Sequence, residues 1–156
     1  PSRLYVSPAL RARETAAAVG AACGLDPVVE PDLAELDHGE LEGLNMEQLR
    51  AAYPDFVEQW EADPAAQPMP GGEGLHDAQY RMVALLEARI AAAPGETIAV
   101  VSHNLALKAV ICRALGAPLS GARAFRIGLA SMSVIEVDEA GQWTLIRLNE
   151  RCHLAD

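Results

Sequence analysis

The sequence predicts an α/β fold built on a mostly parallel sheet, and three observations carry that prediction. Short apolar runs at Leu4-Tyr5-Val6 and around Val28-Val29 flank an Ala-rich helical stretch, the strand, helix, strand order of a parallel unit. A third run, Thr97 to Val101, ends at Ser102-His103 and passes directly into a helical pattern from Asn104 to Leu115. Finally, 51% of the 156 residues are hydrophobic and 22% are charged, enough apolar chain to bury a core in one domain spanning 1–156 and too much for a disordered or low-complexity segment.

Each element follows from local chemistry. The first strand ends at Ser7-Pro8, a turn signal, and the helix from Leu10 to Cys23 stops where Gly24 can take up a left-handed conformation. Pro27 to Pro31 frames a second short strand. Leu33 to Gly43, reading LAELDHGELEG, is acidic and glycine-punctuated with no period of 2 or 3.6, and is expected as a loop. Asn45 is an N-cap, and the apolar stripe Tyr53, Phe56, Val57 and Trp60 predicts a helix running on to Asp63-Pro64. Pro68, Pro70, Gly71, Gly72 and Gly74 mark another loop, after which Tyr80, Val83, Leu86 and Ile90 at spacings of three and four predict an amphipathic helix closed by Pro94-Gly95. Thr97 to His103 is the clearest candidate for a buried strand, and Ser133 to Val137 with Trp143 to Leu148 predicts a hairpin.

Charge and cysteine content narrow the function classes. With 12 Lys+Arg against 22 Asp+Glu the formal charge is −10, which excludes a phosphate-backbone-binding surface and hence a nucleic-acid partner. Apolar runs such as Ile98 to Val101 are far short of the ~20 residues of a membrane-spanning helix, so no membrane partner is expected. Cys23, Cys112 and Cys152 are widely spaced without a C-x-x-C pair; a cytoplasmic location is expected, with Cys23 and Cys112 as buried structural thiols. His38, His76, His103 and His153 have no paired ligand spacing, so neither a metal nor a cofactor is expected. The chain opens Pro1-Ser2-Arg3-Leu4 without an initiator Met, as a chain that starts inside a domain would.

Where chemistry would reside is also readable. His103 falls at the carboxyl end of a parallel strand, where ligands bind in open α/β sheets, and at the amino end of a helix, where free N–H groups and the dipole attract anions such as phosphate. A histidine that merely caps the helix is the competing reading. Arg11 and Arg13 stand in the first turn of a helix, against the dipole, and a bound anion would explain them. Between Glu14 and Asp63 there are 13 acidic residues and one basic residue, Arg50, whereas residues 1–13 hold three Arg and no acid. A phosphorylated ligand would therefore need a local positive pocket, which Arg11 and His103 could help to form. Phosphate-ester cleavage also needs a general acid, and Glu35, Asp37, Glu40 and Glu42 are equal candidates by spacing.

Three segments, Ser7-Pro8-Ala9-Leu10-Arg11-Ala12-Arg13-Glu14-Thr15-Ala16, the Leu33 to Gly43 loop, and Val100-Val101-Ser102-His103-Asn104, resemble in order the histidine phosphatase superfamily, also called phosphoglycerate-mutase-like. Pro70-Gly71-Gly72-Glu73 is similar to that family's substrate loop, and Leu148-Asn149 with His153-Leu154 to its ending. The resemblance implies a three-layer α/β sandwich and a phosphohistidine mechanism without metal, acting on a small phosphorylated metabolite. It implies Arg11 as a phosphate-pocket arginine, Glu35 as the proton donor, His103 as the second active-site histidine, and phosphate contact at Asn104. Asn104 stands where Gly is common and Gly74 where Ser is common.

The family's nucleophilic histidine belongs to an Arg-His-Gly motif on the first strand, and no Arg-His-Gly occurs in these 156 residues; Asp37-His38-Gly39 has the flanks of the acidic loop. The expectation is thus a phosphomonoester hydrolase or phosphoryl transferase truncated by one strand-helix unit and inactive as given, closer in its compact spacing to the smaller phosphatases than to the glycolytic mutases. The alternative is a non-catalytic phosphate-ligand binding or dimerisation module. A homodimer is compatible with the predicted hairpin.

Overall fold

In the computed structural model, which describes residues 1–154, three strands form a parallel sheet in the order β2-β1-β3: β1 (Arg3–Val6), β2 (Val28–Val29) and β3 (Ile98–Val101). Tyr5 pairs with both Val28 and Val100, so β1 is the central strand. Alternation along β1 sorts its side chains onto two faces. Leu4 and Val6, joined by Ala99 and Val101 of β3, pack on Ala12, Ala16 and Val19 of helix α1 (Leu10–Cys23). Tyr5, with Ile98 and Val100, faces Met82, Leu85 and Leu86 of α4 (Leu75–Ala91) and Ala106 and Val110 of α5 (Asn104–Leu115). Helices thus cover both faces of the sheet, giving the three layers expected. The Ala-rich face of α1 lets it lie close to β1, and Gly24, at φ 68°, ends it by donating its N–H to the Gly20 carbonyl.

β4 (Met132–Val137) and β5 (Trp143–Glu150) make the expected hairpin as a separate antiparallel pair, which meets the main core through Trp143, Ile135 and Val137. Among the described residues β3 has a strand partner on one edge only, and all four of its residues are half-buried. The sequence reading of a buried strand is corrected to a half-buried one, because an apolar run reports the two faces of a strand and not its edges.

Two further expectations change. The single helix from Asn45 to Asp63 is two, α2 (Met46–Ala52) and α3 (Pro54–Ala62), since Pro54 has no N–H to continue α2 and sits at the first position of α3. Phe56 and Trp60 of α3 stack with ring centroids 5.9 Å apart and, with Tyr53, cover a second core of Leu36, Leu41, Met69 and Leu75. Cys112 is buried as expected, but Cys23, the last residue of α1, is exposed. The acidic loop carries two short 3-10 turns, Pro31–Leu33 and Gly39–Leu41, whose buried Leu33 and Leu41 pin it to the two cores. No helix among the described residues is long and apolar enough to cross a membrane.

Candidate functional site

The parallel order of β1 and β3 brings their carboxyl ends side by side, and the Ser7 N–H donates to the Val101 carbonyl at 3.0 Å just beyond them. This juxtaposes two segments almost a hundred residues apart. The Ser7 Oγ lies 2.7 Å from His103 Nε2, with Ser7 fully buried and His103 8% exposed. The Ala9 N–H also donates to the Ser7 Oγ, at 3.3 Å. Burial first, and then the positive charges of Arg11 and Arg81, push the His103 imidazole below its ordinary proton affinity, while Glu35 pulls the other way. Arg11 is exposed and takes part in no ion pair among the described residues, which leaves its guanidinium free beside His103.

His103 is the N-cap of α5 but its side chain makes no capping bond. That function falls to Glu35. Its Oε1 accepts from the Ala106 N–H at 3.0 Å and from the Leu36 N–H at 2.9 Å, and its Oε2 accepts from the Leu105 N–H at 3.3 Å. A carboxylate on the first turn of a helix satisfies orphan N–H groups and complements the dipole. Asn104, exposed in the same turn, follows His103 directly.

The four carboxylates that spacing left equal are separated by tertiary structure. Asp37 is spent on its own turn, accepting from the Gly39 N–H at 2.9 Å; Glu40 accepts from the Tyr53 hydroxyl at 3.1 Å; Glu42 lies 3.6 Å from His38. Glu35 alone of the four is bonded to the helix that starts at His103. His153 sits elsewhere, bonded to the Ala130 carbonyl at 2.9 Å. Among the described residues no group of three His, Cys, Asp or Glu side chains could hold a metal ion.

Beside Glu35 opens a cleft of about 440 Å³ lined by Asp37, Glu73, Asp77 and Arg81 together with Gly71 and Gly72. Sequence reasoning assigned no role to Ser7, Glu73 or Arg81. Ser7 was visible as the end of a strand and, like Glu73, as a member of a segment matched by the family resemblance, without a role of its own. Arg81 carried one signal, an arginine on the flank of the buried stripe Ala78, Met82 and Leu85 of α4.

Comparison with known proteins bears on the family and the fold. Phosphoserine phosphatase 1 of Hydrogenobacter thermophilus is 32% identical over 153 residues, covering 98% of this chain and 72% of that protein. Among solved structures, Bacillus stearothermophilus YhfR superposes with a TM-score of 0.90 at 25% identity, covering 97% of this chain and 75% of that one. A mycobacterial glucosyl-3-phosphoglycerate phosphatase, Rv2419c, gives 0.87 at 25% identity, covering 97% and 77%. The family model for branch 1 of the histidine phosphatase superfamily matches residues 1–151, so that β1, the acidic loop, His103 and the hairpin all fall inside it, and the chain belongs to that superfamily.

Proposed function

We propose that the protein is a phosphomonoesterase acting on a small phosphorylated metabolite through a phosphohistidine intermediate. In this reading Arg11 and the backbone N–H of Asn104 hold the phosphoryl oxygens, and His103 stabilises the group in transfer. An attacking imidazole nitrogen bonds to phosphorus as the ester P–O bond breaks, and Glu35 gives its proton to the departing alkoxide. Water then attacks the phosphohistidine, losing its proton to the Glu35 carboxylate and releasing inorganic phosphate.

The observation that carries the reading is the docking of the Glu35 carboxylate on the first turn of the helix capped by His103. It joins an acid, an imidazole and an anion-attracting helix terminus in one place, with Arg11 unpaired beside them. The relative's name makes phosphoserine the first metabolite to assay. The attacking histidine is the one group with no candidate here, since no Arg-His-Gly occurs in the sequence. We assign it to polypeptide outside these 156 residues.

The test is hydrolysis of p-nitrophenyl phosphate and phosphoserine by the 156-residue chain and by the complete gene product. Turnover is expected only from the latter, with an acid-labile phosphohistidine trapped on rapid quenching. Turnover by the 156-residue chain that is lost on His103→Ala would overturn the assignment of an external nucleophile. Phosphate binding without turnover in either form would replace the enzyme reading with that of a binding module.

A further inference from the structure

Arg81 stands outside the residues so far given a part in the reaction, yet every edge of its guanidinium is engaged. Nε donates to Glu73 Oε1 at 2.7 Å and Nη2 to Glu73 Oε2 at 2.8 Å, a bidentate fork in which both side chains are 18% exposed. Nη1 donates to the carbonyls of Asp32, at 2.5 Å, and Ala34, at 2.9 Å, and Nη2 also reaches the Glu35 carbonyl at 3.1 Å. One side chain of α4 thus holds the backbone of the acidic loop at three points around the residue proposed as proton donor.

We infer that the Glu73–Arg81 pair positions the proton donor, gripping Glu35 by its backbone while the α5 amides hold its carboxylate, so that Arg81 never pairs with the carboxylate itself. The inference rests on the reading of Glu35 as proton donor. Its physical basis is a competition. An arginine with a free fork edge would ordinarily pair with a neighbouring glutamate and draw its carboxylate away from other partners, here the α5 amides. Glu73 prevents this by occupying the fork edge of the guanidinium with a carboxylate of its own. The remaining N–H groups point at carbonyls, which fix position without taking the acid's proton. Lysine could not substitute, because an ammonium lacks the planar fork needed to bind Glu73 at two atoms while spanning three carbonyls.

The role is separable from general support of the fold by leaving-group chemistry. An alkyl phosphate expels a basic alkoxide that needs a proton, whereas p-nitrophenyl phosphate expels a stable phenolate that does not. In the complete gene product, Arg81→Lys is expected to lower kcat on phosphoserine by roughly tenfold or more, within the range general acids contribute. On p-nitrophenyl phosphate the same change should cost less than about threefold, and KM should move little on either substrate. Glu73→Gln frees the guanidinium to turn toward Glu35 and should show the same selective loss; it provides the test if Arg81→Lys does not fold by circular dichroism. Glu35→Gln calibrates the assay, and adding Arg81→Lys to it should cost nothing further on phosphoserine. Equal losses on both substrates in the folded Arg81→Lys and Glu73→Gln variants, or no loss on either, would overturn the inference while leaving Glu35 as donor. If Glu35→Gln itself shows no dependence on the leaving group, the donor assignment fails and the inference with it.

Discussion

The acidic loop and the Pro70 to Gly74 loop meet backbone to backbone, and the prediction with the most structural content is that Gly39→Ala separates them. Gly39 has φ 53°, and a Cβ there would fall inside contact distance of the Pro70 carbonyl oxygen and 2.5 Å from both the Gly71 carbonyl carbon and the Gly72 nitrogen. These are main-chain atoms, so no side-chain rotation relieves the clash. Parting the loops would break two hydrogen bonds between them, Glu40 N–H to the Pro70 carbonyl and Glu73 N–H to the Asp37 carbonyl, both 2.9 Å. Each is worth about 1 kcal/mol net, and placing an L-residue in the left-handed region costs about 1 to 2 kcal/mol more. The expected destabilisation is therefore about 3 to 4 kcal/mol. Gly24→Ala supplies the control, since Gly24 has φ 68° but no atom within 4 Å of the point a Cβ would occupy, so only the conformational cost of about 1 to 2 kcal/mol should appear. Urea unfolding monitored by tryptophan fluorescence gives both values. A Gly39→Ala loss within about 0.5 kcal/mol of the Gly24→Ala loss would refute the claim that the two loops are locked through their main chains.

Other expectations follow from buried groups. Because His103 binds a proton less readily folded than its ordinary value of 6.5, the unfolded chain takes up more protons below that pH. Stability should be full above pH 6.5 and fall as the pH drops, by up to about 1.4 kcal/mol per pH unit; His103→Gln should flatten that part of a urea-denaturation pH series. Ser7→Ala removes the hydroxyl 2.7 Å from His103 Nε2 and leaves a buried nitrogen unsatisfied, so a loss of about 1 to 3 kcal/mol in thermal or urea unfolding is expected. Burial raises the Cys112 thiol above its ordinary value, and the bond to Glu150 does the same for exposed Cys152. A thiol titration at mildly alkaline pH should show Cys23 reacting first, Cys152 more slowly, and Cys112 only in denaturant.

Much of the fold was legible because its signals are local. β1 and β3 are apolar runs ended by turn or capping residues, and Gly24 ends α1 in the left-handed conformation its position suggested, as Gly116 ends α5. The break between α2 and α3 was legible too, in Pro54, but the continuous apolar stripe masked it. Cys23 shows the limit of reading burial from helical composition: α1 buries only Ala12, Ala16 and Gly20, and a helix so sparsely apolar does not say which face its last residue takes. Which strands pair with β3 was not legible either, because pairing partners are set by topology and leave no trace in the strand's own residues.

The site divides along the same line. Arg11 and His103 could be singled out because a strand end followed by a helix start is a local pattern with a known electrostatic consequence, whereas Asn104 entered only through the family resemblance. Glu35 could not be told from Asp37, Glu40 and Glu42 by spacing, since what distinguishes it is a partner 70 residues away on α5. Arg81 reaches backward by 46 residues to the Glu35 carbonyl and across to Glu73, contacts that helical periodicity does not encode. The charge arithmetic gains a sharper meaning from these pairs. Arg3, Arg50, Arg81 and Arg89 are each matched with a glutamate, so the net −10 is not offset near the site by these cations. Arg11 beside His103 is unmatched among the described residues, and in a chain of net charge −10 the proposed phosphate site draws on that unpaired guanidinium and the adjacent helix amino terminus.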